Sequence, residues 1–342
     1  MTEETPRQTS RLYGHEAAEA TLASSVRSGR LHHAWLLTGP AGIGKATLAY
    51  RFARWLLAGA PEGGSSQHEK KADSPLWLSP EHPVFRRVAA DTHADLLSIE
   101  AGWDERRKRQ RTEIVVDDVR EIASFLHLTP AEGGWRVVIV DGADTLNRHA
   151  ANALLKVLEE PPPRAILLLS CSSPGRLLPT IRSRCRMLRL QALEAAPMQD
   201  VLATLLPDLA AAERDLLAGL AEGAPGRALQ LAKEDGLALS RLAEDILRAP
   251  PSASHRYDLA DMLTKGDTAF STFMLLLRAT LARMVRQAAR SGSGSDEFLC
   301  RRPLDAWSDV WHALGRLQDE TERFHLDKRQ AIFAGLSLLD PS

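Results

Sequence analysis

The sequence predicts an α/β domain with a parallel sheet over residues 1–190, a small helical domain over 191–247 and a C-terminal all-α domain over 248–342. Three observations carry this. Short apolar runs alternate with helix-spaced segments through the first half. A glycine-rich turn, "GPAGIGKAT" at residues 39–47, stands where one such run meets a helix. From about Leu193 onward the segments read as helices, with no convincing strand. At 342 residues the chain exceeds what one compact core usually holds, and it has no internal repeat.

The elements follow in order. "HEAAEATLASSVRSG" places Ala18, Leu22 and Val26 four apart, on one helix face. "HAWLLTG" is a short buried strand. "KATLAYRFARWLLAG" carries Leu48, Phe52, Trp55 and Leu56 at helical spacing and stops at Gly59. Residues 59–95 read as an irregular insertion, broken by Gly, Pro and Ser, with "ADLLSIE" at its end as the next strand. "VDDVREIASFLHL" is a helix with Asp117 and Asp118 near its start, where acids suit the helix dipole. "WRVVIVDGAD" is a strand, "NRHAANALLKVLEEPP" a helix closed by prolines, and "RAILLLSCS" and "CRMLRLQ" are two further strands. Strands separated by helices imply a parallel sheet covered on both faces. In the second half, "DLLAGLAEGAPGRALQLAKE" reads as two short helices around "EGAPG", and Arg248 to Asp258 as a linker after Pro250 and Pro251. A later helix carries Phe270, Phe273, Leu277 and Leu281 on one face, expected to be core or an oligomer contact.

Composition excludes several classes. Apolar content of 44% and charged content of 25% are ordinary for a globular chain. A formal net charge of −1 makes no global demand for a polyanion partner, so any nucleic-acid contact must come from a local patch. Cys171, Cys185 and Cys300 are too few and scattered for a disulfide framework, which fits a reducing cytoplasm. "MTEETPRQTS" lacks the apolar run of a signal peptide. "TFMLLLRATLARMV" is interrupted by Arg278 and Arg283, so no bilayer span is expected.

The glycine-rich turn approximates the phosphate-binding pattern G-x-x-x-x-G-K-[ST]. Backbone N–H groups of such a turn converge at a helix N-terminus, and the lysine reaches the outer phosphates. Gly39, Gly42, Gly44, Lys45 and Thr47 are the candidate nucleotide-binding residues, and a plain glycine-rich turn is the lesser reading. The residue after the lysine normally supplies a hydroxyl to Mg²⁺, and here it is Ala46. Thr47 lies about 100° further round the helix, so its hydroxyl does not replace the lost ligand, although its N–H could still reach a phosphate. The acidic strand is also incomplete. "RVVIVD" ends in Asp141, the place of an acid that helps hold Mg²⁺. Additional-strand ATPases follow that acid with a Glu that orients water. Here the next residue is Gly142, and Asp144 is out of register. The loop is expected either to hold ATP or ADP weakly, without hydrolysis, or to stand empty.

"NALLKVLEEPP" at Asn152 to Pro162 and "SRC" at Ser183 to Cys185 resemble the clamp-loader branch of the AAA+ ATPases, as does "LYGHEAAEATLASSVRSGRLHHAWLLTGPAGIGKATLA". Within that branch the chain is similar to the non-motor subunits of the bacterial DNA polymerase III assembly, over most of residues 11–235. The C-terminal helices agree only in length and helical character. The resemblance implies an AAA+ domain, a helical lid and a collar domain that joins a ring. It implies a pentameric complex with motor subunits and a delta subunit, acting on a sliding clamp and primed DNA. It assigns Arg184 as an arginine finger directed in trans at a neighbouring motor subunit. The plainer alternative is a solvated or salt-bridged residue among Arg176, Arg182, Arg186 and Arg189. It also gives Arg227, at the start of a helix, the place of a sensor arginine that reaches nucleotide on its own chain. The alternative is a bridge between the first two domains.

Many clamp-loader subunits carry a four-Cys zinc module in the insertion, but this stretch has no Cys. His68, His82 and His93 lack ligand spacing and are expected on the surface, so no zinc is expected. "RRKRQR" at Arg106 to Arg111 suggests a solvated hairpin or loop before a DNA contact. Arg283, Arg286 and Arg290 suggest a solvated helix face. His149 has no partnered nucleophile. The leading expectation is a subunit without ATPase activity of its own. Against it stand a self-sufficient motor subunit or remodelling ATPase, opposed by Ala46 and Gly142, and a small-molecule kinase, opposed by the helical second half and "SRC".

Overall fold

The computed structural model describes residues 5–61, 74–104, 109–249, 251–266, 268–291 and 299–340. Its chain divides into two compact units: Met1–Val201 with Gly223–Gly226, and Leu202–Glu222 with Arg227–Ser342.

The first unit is α/β. In chain order it contains α1 (Glu16–Arg27), β1 (Ala34–Thr38), α2 (Lys45–Leu57), α3 (Pro83–Ala89), β2 (Leu96–Ile99), β3 (Trp103–Asp104), β4 (Arg109–Gln110), α4 (Val116–His127), β5 (Arg136–Val140), α5 (Arg148–Glu159), β6 (Ala165–Cys171), α6 (Pro179–Arg184) and β7 (Arg186–Arg189). Five strands form one sheet in the order β2-β5-β6-β1-β7. Every pairing in it is parallel, with Ala34 beside Leu167, Trp35 beside Arg186, Leu96 beside Val137 and Arg136 beside Ala165. The three inner strands are buried at every residue, the pattern of a sheet covered on both faces.

Alternation along those strands divides the core in two. Trp35, Leu37, Val137, Ile139, Ile166 and Leu168 pack with Leu22 of α1, Leu48, Phe52 and Trp55 of α2, and Val84, Phe85 and Val88 of α3. Leu36, Val138, Val140, Leu167 and Leu169 pack with Val119 and Ile122 of α4, Leu154 and Leu158 of α5, and Ile181 of α6. The helix starts are locally determined. Val115 N–H donates to Asp118 Oδ2 at 2.9 Å, and Ala150 N–H donates to Asn147 Oδ1 at 2.9 Å.

Two expectations about the insertion need correction. The insertion is not irregular throughout, because α3 occupies part of it. Pro83 stands at the first turn of α3, and the His82 ring accepts from Val84 N–H. Residues 62–73, and His68 with them, lie outside the described residues. His93 is not a surface residue: it is 5% exposed, and its Nδ1 accepts from Asp95 N–H at 3.2 Å. Half of the Arg106–Arg111 run, residues 106–108, lies outside the described residues; its Arg109–Gln110 form β4, which pairs antiparallel with β3, in keeping with the expected hairpin.

The second unit, with the helices leading into it, is helical in every described element. These are α7 (Ala195–Leu205), α8 (Ala211–Ala221), α9 (Pro225–Lys233), α10 (Gly236–Arg248), α11 (Ala253–Thr264), α12 (Ala269–Ser291), α13 (Leu304–Phe324) and α14 (Lys328–Ser337). Helix α12 packs against α10 and α13, and α14 packs against α11 and α13. Phe270, Phe273, Leu277 and Leu281 are all buried, as core. The expected linker at 248–258 is shorter, since α11 begins at Ala253. Arg256 fixes that helix by pairing with both carboxylate oxygens of Asp340, at 3.0 and 2.6 Å, while Leu259, Ala260 and Leu263 are buried. Among the described residues no helix is long and apolar enough to cross a membrane.

Candidate functional site

The phosphate loop joins β1 to α2. The first hydrogen bond of α2 runs from Leu48 N–H to Gly44 O at 2.9 Å. The N–H groups of Lys45, Ala46 and Thr47 therefore precede any carbonyl of their own helix and face out of its positive end. Gly44 caps this end with φ of 105°, and a Cβ there would fall 2.7 Å from Leu12 Cδ1. Gly39 and Gly42 also take positive φ.

Lys45 does not project into open space. It is 7% exposed, and its ammonium donates to Gly39 O at 2.9 Å, Pro40 O at 2.7 Å and Ser172 Oγ at 2.9 Å. Burial lowers its pKa, while the charges of Asp144 and Asp141 oppose that shift. The carbonyls of its own loop thus occupy the donors that an outer phosphate would need. Ala46 offers only a methyl group where a metal-ligating hydroxyl would stand, and the half-buried Thr47 lies one position further round the helix.

The acids are similarly engaged. Strand β6 lies between β1 and β5, so the hydroxyls at its end reach both sides of the site. Ser170 Oγ donates to Asp141 Oδ1 and accepts from Gly142 N–H at 2.8 Å. Gly142 has φ of 80°, a left-handed conformation that would strain a glutamate at the same place. Asp144 accepts from Ser172 N–H at 3.1 Å and Ser173 N–H at 2.9 Å. Lys45, Ser172 and Asp144 are thereby linked through one residue of the β6 terminus. Sequence reasoning missed Ser170 and Ser172; the signal was "SCS", two hydroxyls two residues apart closing an apolar strand.

Two further contacts fix the loop. His15, 5% exposed, donates from Nε2 to Ile43 O at 2.9 Å, which assigns its proton to that nitrogen. Gly226 N–H donates to Gly42 O at 2.8 Å. The residue after it, Arg227, belongs to the second unit and pairs there with Glu222 at 3.4 Å.

Arg184 ends α6. Its Nη2 meets Glu159 Oε1 at 2.8 Å, at the last residue of α5, and its Nη1 donates to Thr180 O at 3.0 Å. The side chain is 36% exposed. The neighbouring arginines are engaged elsewhere: Arg182 donates to Pro174 O at 3.1 Å, and Arg186 lies over the Trp35 ring. Burial pushes the Cys185 thiol up to about 12, so it is no nucleophile. His149 is exposed. Among the described residues no three His, Cys, Asp or Glu side chains are grouped to hold a metal.

A family model described as "DNA polymerase III, delta subunit" matches residues 14–194. That span contains the loop, both acids and Arg184. DNA polymerase III subunit delta' of Pseudomonas aeruginosa is 40% identical over 199 residues, covering 58% of this chain and 55% of that protein. The delta' subunit of Escherichia coli is 34% identical over 216 residues, covering 63% and 58%. The tau subunit of E. coli is 32% identical over 222 residues, covering 64% of this chain and 31% of tau. The chain spans a little over half the length of the delta' relatives it matches. More than half of the chain, including the whole loop-and-acid frame, falls within one family model, and the chain belongs to the DNA polymerase III delta subunit family.

Proposed function

We propose that this chain is a delta'-type, non-motor subunit of the DNA polymerase III clamp loader. It joins motor subunits of the tau/gamma kind and a delta subunit, and helps place a sliding clamp on primed DNA during replication. One observation carries the reading most directly: Lys45 is bonded to its own loop in a frame whose two expected catalytic groups are replaced by Ala46 and Gly142. The amides at the start of α2 suit a phosphate group, so Gly42, Gly44, Lys45 and Thr47 would hold ATP or ADP. Bound nucleotide would supply a triphosphate or diphosphate to that helix end. Without a hydroxyl at 46, the chain positions no Mg²⁺ there through this loop. Asp141 would face the nucleotide only by giving up Ser170.

The catalytic contribution is then Arg184, given to a neighbouring motor subunit. A guanidinium neutralises charge on a transferred phosphoryl group and contributes about 10³–10⁵ in rate at the site it serves. In the free chain Glu159 holds it at the surface. The test is reconstitution with motor and delta subunits, following assembly and ATP turnover together. Arg184→Ala is expected to assemble normally and to silence the one site it completes. Unchanged turnover in a fully assembled complex would remove the finger. Appreciable turnover by the isolated chain, abolished by Lys45→Arg, would make it a motor instead.

A further inference from the structure

We propose that the arginine face of α12 binds the phosphate backbone of duplex DNA. The 23 residues of α12 include four arginines and not one Asp or Glu. Arg278 is taken up by packing, with its guanidinium 4.3 Å from the Trp311 ring centroid. The other three, Arg283, Arg286 and Arg290, are exposed. Their spacing of three and four residues puts them on one face, spanning about 10 Å of helix at 1.5 Å per residue. With Gln287 they line one open cleft. The face is opposite the buried one that carries Phe270, Phe273, Leu277 and Leu281.

Among the described residues this charge is not neutralised. Arg283 meets Glu244 at 3.4 Å, but the other oxygen of that carboxylate is held by Arg248 at 2.5 Å. Arg286 Nε donates to Ala282 O of its own helix. Among the described residues neither Arg286 nor Arg290 meets a carboxylate. Like charges three and four apart destabilise a helix by a few tenths of a kcal/mol each, so this arrangement has no structural benefit of its own. Since the whole chain carries a net charge of −1, the positive field is local to this face.

The composition of the face selects the partner. Protein interfaces are anchored by buried aromatic and aliphatic side chains. Among the described residues the exposed large apolar ones are Leu128, Met187, Tyr257, Met262, Leu304, Phe324 and Leu326, and none lies on α12. Stacking of unpaired bases needs aromatic platforms, which this face also lacks. Guanidinium groups flanked by Gln and Ala suit phosphate oxygens and read no sequence. The occupant is therefore a duplex backbone.

The test uses the full chain and a fluorescent duplex of arbitrary sequence, with anisotropy measured from 50 to 200 mM salt. Each lost phosphate contact lowers the slope of log K against log salt by about 0.9. The triple variant Arg283→Gln, Arg286→Gln, Arg290→Gln is expected to lose about 2.7 from that slope. Over this fourfold salt range the wild type would lose roughly 40-fold more affinity than the variant. The corresponding triple Lys variant keeps the slope, and melting curves check that both variants are folded. An unchanged slope and affinity in the Gln variant overturns the proposal, as does no duplex binding at 50 mM. Displacement of the duplex by polyglutamate as readily as by unlabelled DNA would also overturn it, and would assign the face to an acidic protein.

Discussion

Lys45→Met tests whether the phosphate-loop lysine is a structural residue of the free chain. Methionine keeps the apolar stem and removes the ammonium. Three acceptors lose their donor: Gly39 O, Pro40 O and Ser172 Oγ, at 2.9, 2.7 and 2.9 Å. Hydrogen bonds to a charged group contribute about 1.5–3 kcal/mol each, which gives a gross loss of about 5–9 kcal/mol. Burying an ammonium at 7% exposure costs several kcal/mol, and the variant escapes that penalty. The net expectation is a destabilisation of about 2–3 kcal/mol. The assay is urea unfolding in nucleotide-free buffer, followed by fluorescence of Trp35 and Trp55, both fully buried in the first unit. With a slope of about 2–3 kcal/mol per molar urea, the midpoint falls by about 1 M. An unchanged midpoint would refute the reasoning. The three bonds would then carry no weight in the folded chain, and the lysine would be free to meet a phosphate at no cost.

Other expectations follow from the same geometry. Gly226→Ala should loosen the loop, since a Cβ there would lie 2.8 Å from Gly42 O and 3.1 Å from Gly42 Cα, both backbone atoms that cannot rotate away. A loss of about 1–3 kcal/mol is expected, with faster hydrogen exchange at Ile43 and Gly44. Gly219→Ala, inside α8 with nothing within 4 Å, should be neutral or stabilising by up to about 1 kcal/mol, and equal behaviour of the two variants would discard the contact. Stability should fall with acid. Burial lowers the pKa values of His15, His33 and His93, so between the folded values and about 6.5 the unfolded chain binds more protons. Their contribution is complete above 6.5 and is lost as pH falls through that value towards the folded ones. His15→Gln, which can still donate to Ile43 O, should show a smaller drop in melting temperature between pH 7.5 and 5.5, and parallel curves would exclude His15.

The sheet and most helices were legible because each depends on a local period. Short apolar runs at 34–37, 137–140 and 165–169, each bounded by turn residues, read as buried strands, and they form β1, β5 and β6. Helix α3 was not legible: seven residues inside a Pro- and Gly-rich stretch show too little periodicity, and its start depends on Pro83 and the His82 ring. Nor was the start of α11, which the ion pair between Arg256 and the distant Asp340 fixes against two preceding prolines.

By itself the sequence determined which groups the site lacks. Ala46 and Gly142 are identities, and no fold restores a hydroxyl or a carboxylate to them. It also placed the loop between a strand and a helix, where amides converge. Only the tertiary structure decided what the remaining polar groups do, because a buried charge must be satisfied by whatever the fold brings within about 3 Å. That requirement turns Lys45 onto its own carbonyls and onto Ser172 and gives Asp141 to Ser170, while at the surface the fold brings Glu159 to Arg184. It also buries Arg54, 1% exposed, with its pKa pushed down to about 9 by burial, because the carbonyls of Arg7 and Thr9 lie 2.7 Å away. Each of these partners is 29 or more residues distant in sequence, except the loop carbonyls of Lys45 and Glu159, 25 residues before Arg184. No periodicity could have named them.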